Sequence, residues 1–215
     1  MGTVGLLPAA GAARRLGIST PKELVGIRGR PVIDFSIDHL LEAGVDRLVI
    51  VIRGGKEAIV DHVQRRRPPV PVDWVFQEGA IGNLVDALRC ARPALGDDDV
   101  LLLFPDTVLS PNPFLSPPLA HLLAADTQGP ELVLLCHDAG DRWRDFGVVD
   151  PVTRSVIEKP TTFVGSMCWG AARWSPSFND RLIGAATLTE AINQAKWEHL
   201  LCIERYRDIG LGSAM

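Results

Sequence analysis

Several familiar signatures are missing from this chain, and each absence removes a class of chemistry. No Gly-x-x-x-x-Gly-Lys-Ser/Thr loop occurs, so a P-loop enzyme is excluded, and no Gly-x-Gly-x-x-Gly dinucleotide fingerprint is present. There is no Gly-x-Ser-x-Gly elbow for a serine hydrolase. Cysteine is scarce: Cys90, Cys136, Cys168 and Cys202 lie far apart, with no Cys-x-x-Cys and no Cys/His spacing suited to zinc. The histidines at 39, 62, 121, 137 and 199 show no metal-ligand spacing, and none takes a role here. No apolar run approaches membrane-spanning length, and no signal peptide precedes the first strand. These absences lead us to expect a soluble, reduced, cytoplasmic protein that uses no membrane. Positive charge is also in short supply, with 22 Lys and Arg against 26 Asp and Glu and a net charge of −4. Nucleic acid is therefore not an expected partner, whereas a small anionic substrate needs only a local group of cations. The tract Arg65-Arg66-Arg67 is followed by Pro68-Pro69 and reads as a solvated helix end.

What is present is a regular alternation of strand-like and helix-like runs. The 215 residues are 47% hydrophobic, enough for one sizeable α/β domain. Strands are expected at Val4–Leu7, Leu48–Ile52, Val72–Gln77 and Val100–Asp106, and helices at Pro31–Ala43, Lys56–Arg67 and Leu84–Ala91. This β-α-β order predicts a doubly wound, mainly parallel α/β sheet. The second half differs. Strands at Leu132–Cys136, Gly147–Asp150, Val156–Glu158, Met167–Trp174 and Leu200–Glu204 are separated by turns as well as helices, which predicts a mixed, partly antiparallel part. No internal repeat, low-complexity segment or interdomain linker stands out, so residues 1–215 read as a single domain with halves of about 1–115 and 116–215.

Open parallel sheets bind ligands at the carboxyl ends of their strands. The first such end carries Leu7-Pro-Ala-Ala-Gly-Ala-Ala-Arg-Arg-Leu16, then Pro21-Lys22. Small residues there let backbone approach a ligand closely, and Arg15 and Lys22 put fixed positive charge behind them, which suits the phosphates of a nucleoside triphosphate. A plain strand-to-helix turn with surface cations would use the same residues. Asp106 ends the most apolar strand and offers a carboxylate for magnesium, or caps a turn. Gln77 ends another strand, and its amide is compatible with a pyrimidine edge. Glu158-Lys159-Pro160 offers a cation for a second phosphate and a carboxylate for hydroxyls, or a surface ion pair before a turn. Asp208-Ile-Gly210 offers a second carboxylate or a turn. Trp169 lines a sugar pocket or packs in the core, while Trp74 and Trp174 read as core.

Taken in order, these motifs resemble the sugar-phosphate nucleotidyltransferases of the glucose-1-phosphate thymidylyltransferase type. The likeness rests on the Gly-rich loop with Arg-Leu, Pro21-Lys22, Gly29-Arg-Pro-Val-Ile33, Ala43-Gly44, Gln77 with Gly82, and the strand ending in Asp106. It continues through Phe146-Gly-Val148, Glu158-Lys-Pro160, Trp169-Gly170 and Asp208-Ile-Gly210, from about residue 4 to 212. The resemblance implies a Rossmann-like nucleotidyltransferase fold that transfers a nucleotidyl group from an NTP to a sugar 1-phosphate, releasing pyrophosphate with Mg2+ as cofactor. It implies that Arg15 and Lys22 hold the triphosphate, that Ala9, Ala10 and Gly11 contact the nucleotide, and that Gln77 and Gly82 read the base. Asp106 and Asp208 would bind the metal; Gly147, Glu158 and Lys159, with Trp169 and Gly170 beside them, would hold the acceptor. The chain departs from the pattern at Ala13, Arg14 and Leu211, where Gly, Thr and Thr are usual. No C-terminal β-helix or helical tail follows, so a minimal catalytic domain is expected; its oligomeric state, a homo-oligomer included, stays open. Two other readings share the nucleotide half. One is a cytidylyltransferase for a non-sugar phosphate or phosphonate such as choline phosphate, whose quaternary amine would demand an aromatic cage. The other is a catalytically silent nucleotide-binding domain. A cytidylyltransferase for methylerythritol phosphate ranks lower, because its His-Asp-Ala-Ala-Arg-Pro motif is absent.

Overall fold

A computed structural model of the chain describes residues 2–11, 20–79, 83–120, 130–195, 201–202 and 207–208, the last two pairs by backbone alone. Four parallel strands form its first half: β1 (Thr3–Pro8), β4 (Arg47–Ile52), β5 (Val72–Phe76) and β6 (Asp99–Leu103). Between β1 and β4 come a small hairpin, β2 (Gly26–Ile27) and β3 (Arg30–Pro31), and helix α1 (Val32–Glu42). Helices α2 (Glu57–Arg66) and α3 (Leu84–Leu95) connect the remaining parallel strands.

Alternation along the central strands explains the layering. On β1, β4 and β6, Val4, Leu6, Val49, Val51, Val100 and Leu102 face one core. Leu7, Leu48, Ile50, Leu101 and Leu103 face the other. Successive strand residues point to opposite faces, so a strand covered on both sides must be apolar throughout, as β1, β4 and β6 are. Ile33, Ile37 and Leu40 of α1 and Ile59 and Val63 of α2 cover one face. Val85, Leu88 and Ala91 of α3 cover the other, together with α4 (Pro176–Gly184) and α5 (Leu188–Gln194).

The second half extends the same sheet rather than starting another. Strand β7 (Leu109–Ser110) is a short outlier; β8 (Leu132–Asp138), β9 (Gly147–Asp150), β10 (Ser155–Glu158) and β11 (Met167–Trp174) follow. The path runs β10-β9-β11-β6-β1-β4-β5, with β8 also on β11 and β12 (Leu201–Cys202) on β8. β11 pairs antiparallel with β6, β8 and β9, as the turn-separated strands predicted. Its register shifts between Trp169 and Ala171, so a bulge at Gly170 re-aims the side chains around it. Trp169 thereby joins the first core and Ala171 the second.

One expectation needs correcting. Of the three arginines ending α2, Arg65 and Arg67 are exposed, but Arg66 is not a solvated charge. Its guanidinium reaches back to α1, 2.8 Å from Asp34 and bonded to Asp38. Arg30 of the β3 hairpin reaches the same Asp38. Burial penalises the Asp38 carboxylate, but the two guanidiniums outweigh it and hold its pKa below the usual value.

Candidate functional site

Two adjoining cavities open along the carboxyl ends of the parallel strands, and they share one wall. The smaller, about 180 Å³, is lined by Gly11 after β1, Arg53 after β4, Gln77 after β5 and Asn83 at the start of α3. The larger, about 370 Å³, is lined by Gly147, Glu158, Lys159, Trp169 and Gly170 from β9 to β11. Lys22, Leu84, Phe104 and Asp106 line both. The parallel strands all point the same way, so their ends must share one edge; the antiparallel extension then supplies the second cavity beside it.

The shared wall is built from buried supports. Asp106 sits in the turn after β6 and accepts a 2.5 Å hydrogen bond from the ammonium of Lys22. Both side chains keep access to solvent, at 27% and 31% exposure, so neither is committed to the core. Beneath the turn, the buried hydroxyl of Ser36 lies 3.0 Å from the carbonyl of Phe104 and 3.3 Å from that of Thr107. Lys22 opens a single 3-10 turn, Lys22–Leu24. The next residue, Glu23, is fully buried and meets the ammonium of Lys56 at 2.8 Å. Lys56 also donates to the carbonyl of Ala9 at 2.6 Å. Burial pulls the Lys56 pKa below its ordinary value, with the Glu23 charge and hydrogen bond pushing back.

Most of the expected site residues come together here. Ala10 and Gly11 line the smaller cavity, and a side chain at Gly11 would point toward Lys22, 4.0 Å from its Nζ. Ala9 does not line it. Its N–H donates to Val51 at 2.7 Å and its carbonyl accepts from Lys56, so the amide expected to meet a nucleotide is spent inside the protein. Arg15 and Gly82 lie outside the described residues, as do Ala13, Arg14 and Leu211. Asp208 is described by its backbone: strand β13 (Arg207–Asp208) sets it opposite Leu109, three positions beyond Asp106. The fold therefore brings that part of the chain back beside the β6 turn.

Along the larger cavity, β9 and β10 form a hairpin that sets Gly147 opposite Glu158. A Cβ on Gly147 would stand 2.6 Å from Nε1 of Trp169 and 3.0 Å from Oε2 of Glu158, closer than a real side chain tolerates. Lys159 follows in a left-handed conformation, φ 45°, its N–H bonded to the carbonyl of Phe146. Trp169 stacks obliquely on Phe104, ring centres 5.4 Å apart.

Several lining residues were not foreseen. Arg53 follows β4 as Gln77 follows β5, so strand position was the signal that could have found it. Asn83 caps α3 through a reciprocal pair of bonds with Asp86. His137 is buried against the larger cavity with its ring edge-on to Phe146, 5.6 Å between centres. An isolated histidine in an apolar strand carries no local mark of that position.

Residues 5–202 match the MobA-like NTP transferase domain. The chain belongs to this family. It is similar to a bifunctional GlmU protein of Halorhodospira halophila, 30% identical over 203 residues, covering 87% of this chain and 41% of that one. It is also similar to a UTP–glucose-1-phosphate uridylyltransferase of Escherichia coli K12, 26% identical over 145 residues, covering 56% of this chain and 48% of the relative. The chain thus spans less than half the length of these curated relatives. A UDP-glucose pyrophosphorylase structure from Acinetobacter baumannii superposes with a TM-score of 0.79 at 20% identity, covering 97% of this chain and 88% of the other. A pyrophosphorylase complexed with UDP-glucose superposes at 0.75 and 18% identity, covering 97% and 92%. These likenesses establish the doubly wound nucleotidyltransferase fold.

Among the described residues, no helix is long and apolar enough to cross a membrane. No group of three or more His, Cys, Asp or Glu side chains gathers among them as a metal site.

Proposed function

We propose that this family member transfers a nucleotidyl group from an NTP to a sugar 1-phosphate, giving an NDP-sugar and pyrophosphate. The observation that carries the reading is the shared wall: Lys22 and Asp106 border both cavities at once. In-line transfer sets the attacking oxygen of the acceptor opposite the departing pyrophosphate across the α-phosphorus of the NTP, with positive charge and a carboxylate beside it. The half of the chain up to about residue 115 takes the NTP, and the rest takes the acceptor. The relatives' names, which speak of glucose-1-phosphate and UDP-glucose, support the same substrate classes.

In this reading Lys22 and Arg15 neutralise the charge that gathers on departing pyrophosphate. Ala10 and Gly11 face the triphosphate, and Gln77 with Gly82 reads the base. Lys159 holds the acceptor phosphate so that its oxygen faces the α-phosphorus, and Glu158 with Gly147 holds the sugar. The donor chemistry suits Mg2+, because Asp106 presents a partly open carboxylate oxygen where phosphate oxygens would supply the remaining ligands. Asp106 would hold the ion together with Asp208, and a bound ion would supply charge neutralisation at the phosphates. Cys90 and Cys168 carry free thiols, which supports a reducing, cytoplasmic setting.

Pyrophosphate release, measured with each NTP against a panel of hexose 1-phosphates and choline phosphate, tests the reading. Release with an NTP and a hexose 1-phosphate is expected. Release with choline phosphate alone would replace the reading by the quaternary-amine alternative, and release with no pair would leave a silent nucleotide-binding domain.

A further inference from the structure

Three segments of the chain line the smaller cavity, and one residue outside it is bonded to all three. The loop after β1 contributes Ala10 and Gly11, the 3-10 turn contributes Lys22, and the turn after β4 contributes Arg53. Lys56 lines neither cavity and is only 6% exposed. Its Nζ donates to the carbonyl of Ala9 at 2.6 Å, one residue before Ala10. It also donates to Oε1 of Glu23 at 2.8 Å, one residue after Lys22. Its backbone N–H donates to the carbonyl of Arg53 at 3.2 Å and so closes the third segment.

Stability alone gives no reason for this choice. Apolar residues of similar volume hold an interior at least as well as a buried ion pair does. Apolar contacts are also indifferent to direction, whereas an ammonium presents three donors and holds a carbonyl and a carboxylate at fixed distances. The group is electrically joined to the shared wall as well. Burial lowers the Lys56 pKa most, Glu23 opposes it, and the Lys22 and Asp106 charges act on it in opposite senses.

Resting on the proposed nucleotidyl transfer, we infer that Lys56 is a positioning residue for the reaction. Through the Ala9 carbonyl and Glu23 it sets the spacing between the chain at Ala10 and Gly11 and the ammonium of Lys22. It touches no substrate and acts through Lys22. Transfer is sensitive to such spacing, because misplacing a reacting group by about 1 Å can cost on the order of a hundredfold in rate.

The test separates fold from rate. Lys56→Met/Glu23→Leu leaves no charge buried alone, so its urea midpoint should lie nearer to wild type than that of either single variant. Its kcat, read by pyrophosphate release, should nevertheless stay about tenfold below wild type. Lys22→Met supplies the second measurement. Adding the double substitution to it should lower kcat by at most about twofold, because the group being positioned is already gone. Glu23→Gln keeps the side-chain length and removes the charge that faces Lys56; it gives a second route if the double variant folds poorly, with the same non-additivity toward Lys22→Met. Wild-type kcat in the double variant, or the same loss with and without Lys22→Met, would overturn the positioning role while leaving nucleotidyl transfer intact. Absence of pyrophosphate release by wild type would instead overturn the transfer itself. Calorimetry with the NTP and Mg2+ would then still read the spacing, with binding about tenfold weaker in the double variant. An unchanged dissociation constant there would overturn the role of Lys56.

Discussion

The ammonium of Lys56 lies 2.8 Å from Oε1 of Glu23 and 2.6 Å from the carbonyl of Ala9, with both side chains almost completely buried. This one contact ties the loop after β1 to the turn that carries Lys22. Removing one member strands a charge in the interior, a loss of about 3–5 kcal/mol for buried pairs. Lys56→Met and Glu23→Leu should each lower stability on that scale in urea unfolding. The double variant Lys56→Met/Glu23→Leu should recover a large part of the loss, because no charge is then left buried. Additive losses in the double variant would show that the two side chains do not act as a pair.

Lys22 and Asp106 neutralise each other across 2.5 Å while both stay partly open. A divalent ion bound by Asp106 would compete with that ammonium for the carboxylate's charge. Lys22→Met should therefore tighten Mn2+ binding to the nucleotide-free protein in paramagnetic titrations, even as turnover falls by about a hundredfold or more. Asp106→Asn should lose most activity yet unfold near the wild-type midpoint. Full activity in Asp106→Asn would remove the carboxylate from the reaction.

Gly147 faces two polar atoms that leave no room for a methyl group. Gly147→Ala should raise the KM for the acceptor at least tenfold and leave the KM for NTP alone, because the smaller cavity contains none of these atoms. Steady-state kinetics with each substrate varied in turn reads the split.

Burial, with the Asp138 and Glu158 charges behind it, pushes the Cys168 thiol up to about 12 from an ordinary 9.0. The native protein therefore keeps this proton between those values while the unfolded chain releases it. More protons bind to the native state, so the contribution of this group to stability falls as pH rises from about 9 to about 12. The difference in stability between wild type and Cys168→Ala should shrink across that interval. At neutral pH, iodoacetamide should modify exposed Cys90 and spare buried Cys168 until the protein is unfolded.

The elements were largely legible, and for a definite reason. β6 is apolar at Val100 through Leu103 because helices cover both faces, and α1 repeats apolar residues at helical spacing because one face is covered. Those patterns are local. The pairing of β11 with β6 was not legible, since Ala171–Trp174 would suit any antiparallel neighbour. Arg66 looked like the end of a charged run because the carboxylates that take it up stand on another helix. The positions of His137 and Ser36 are not legible for the same reason, as nothing beside them in the chain marks where they face.

Read alone, the chain determined which segments are strands and helices, and so which residues stand at the carboxyl ends of a parallel sheet: Gly11, Gln77 and Asp106 among them. Tertiary structure alone decided who meets whom. Lys22 finds Asp106 across 84 positions and Lys56 finds Glu23 across 33. The bulge at Gly170 decides that Trp169 and Ala171 face different cores. Secondary structure follows from spacings of two to four residues, whereas these contacts depend on strand order and register, which no short stretch of sequence encodes.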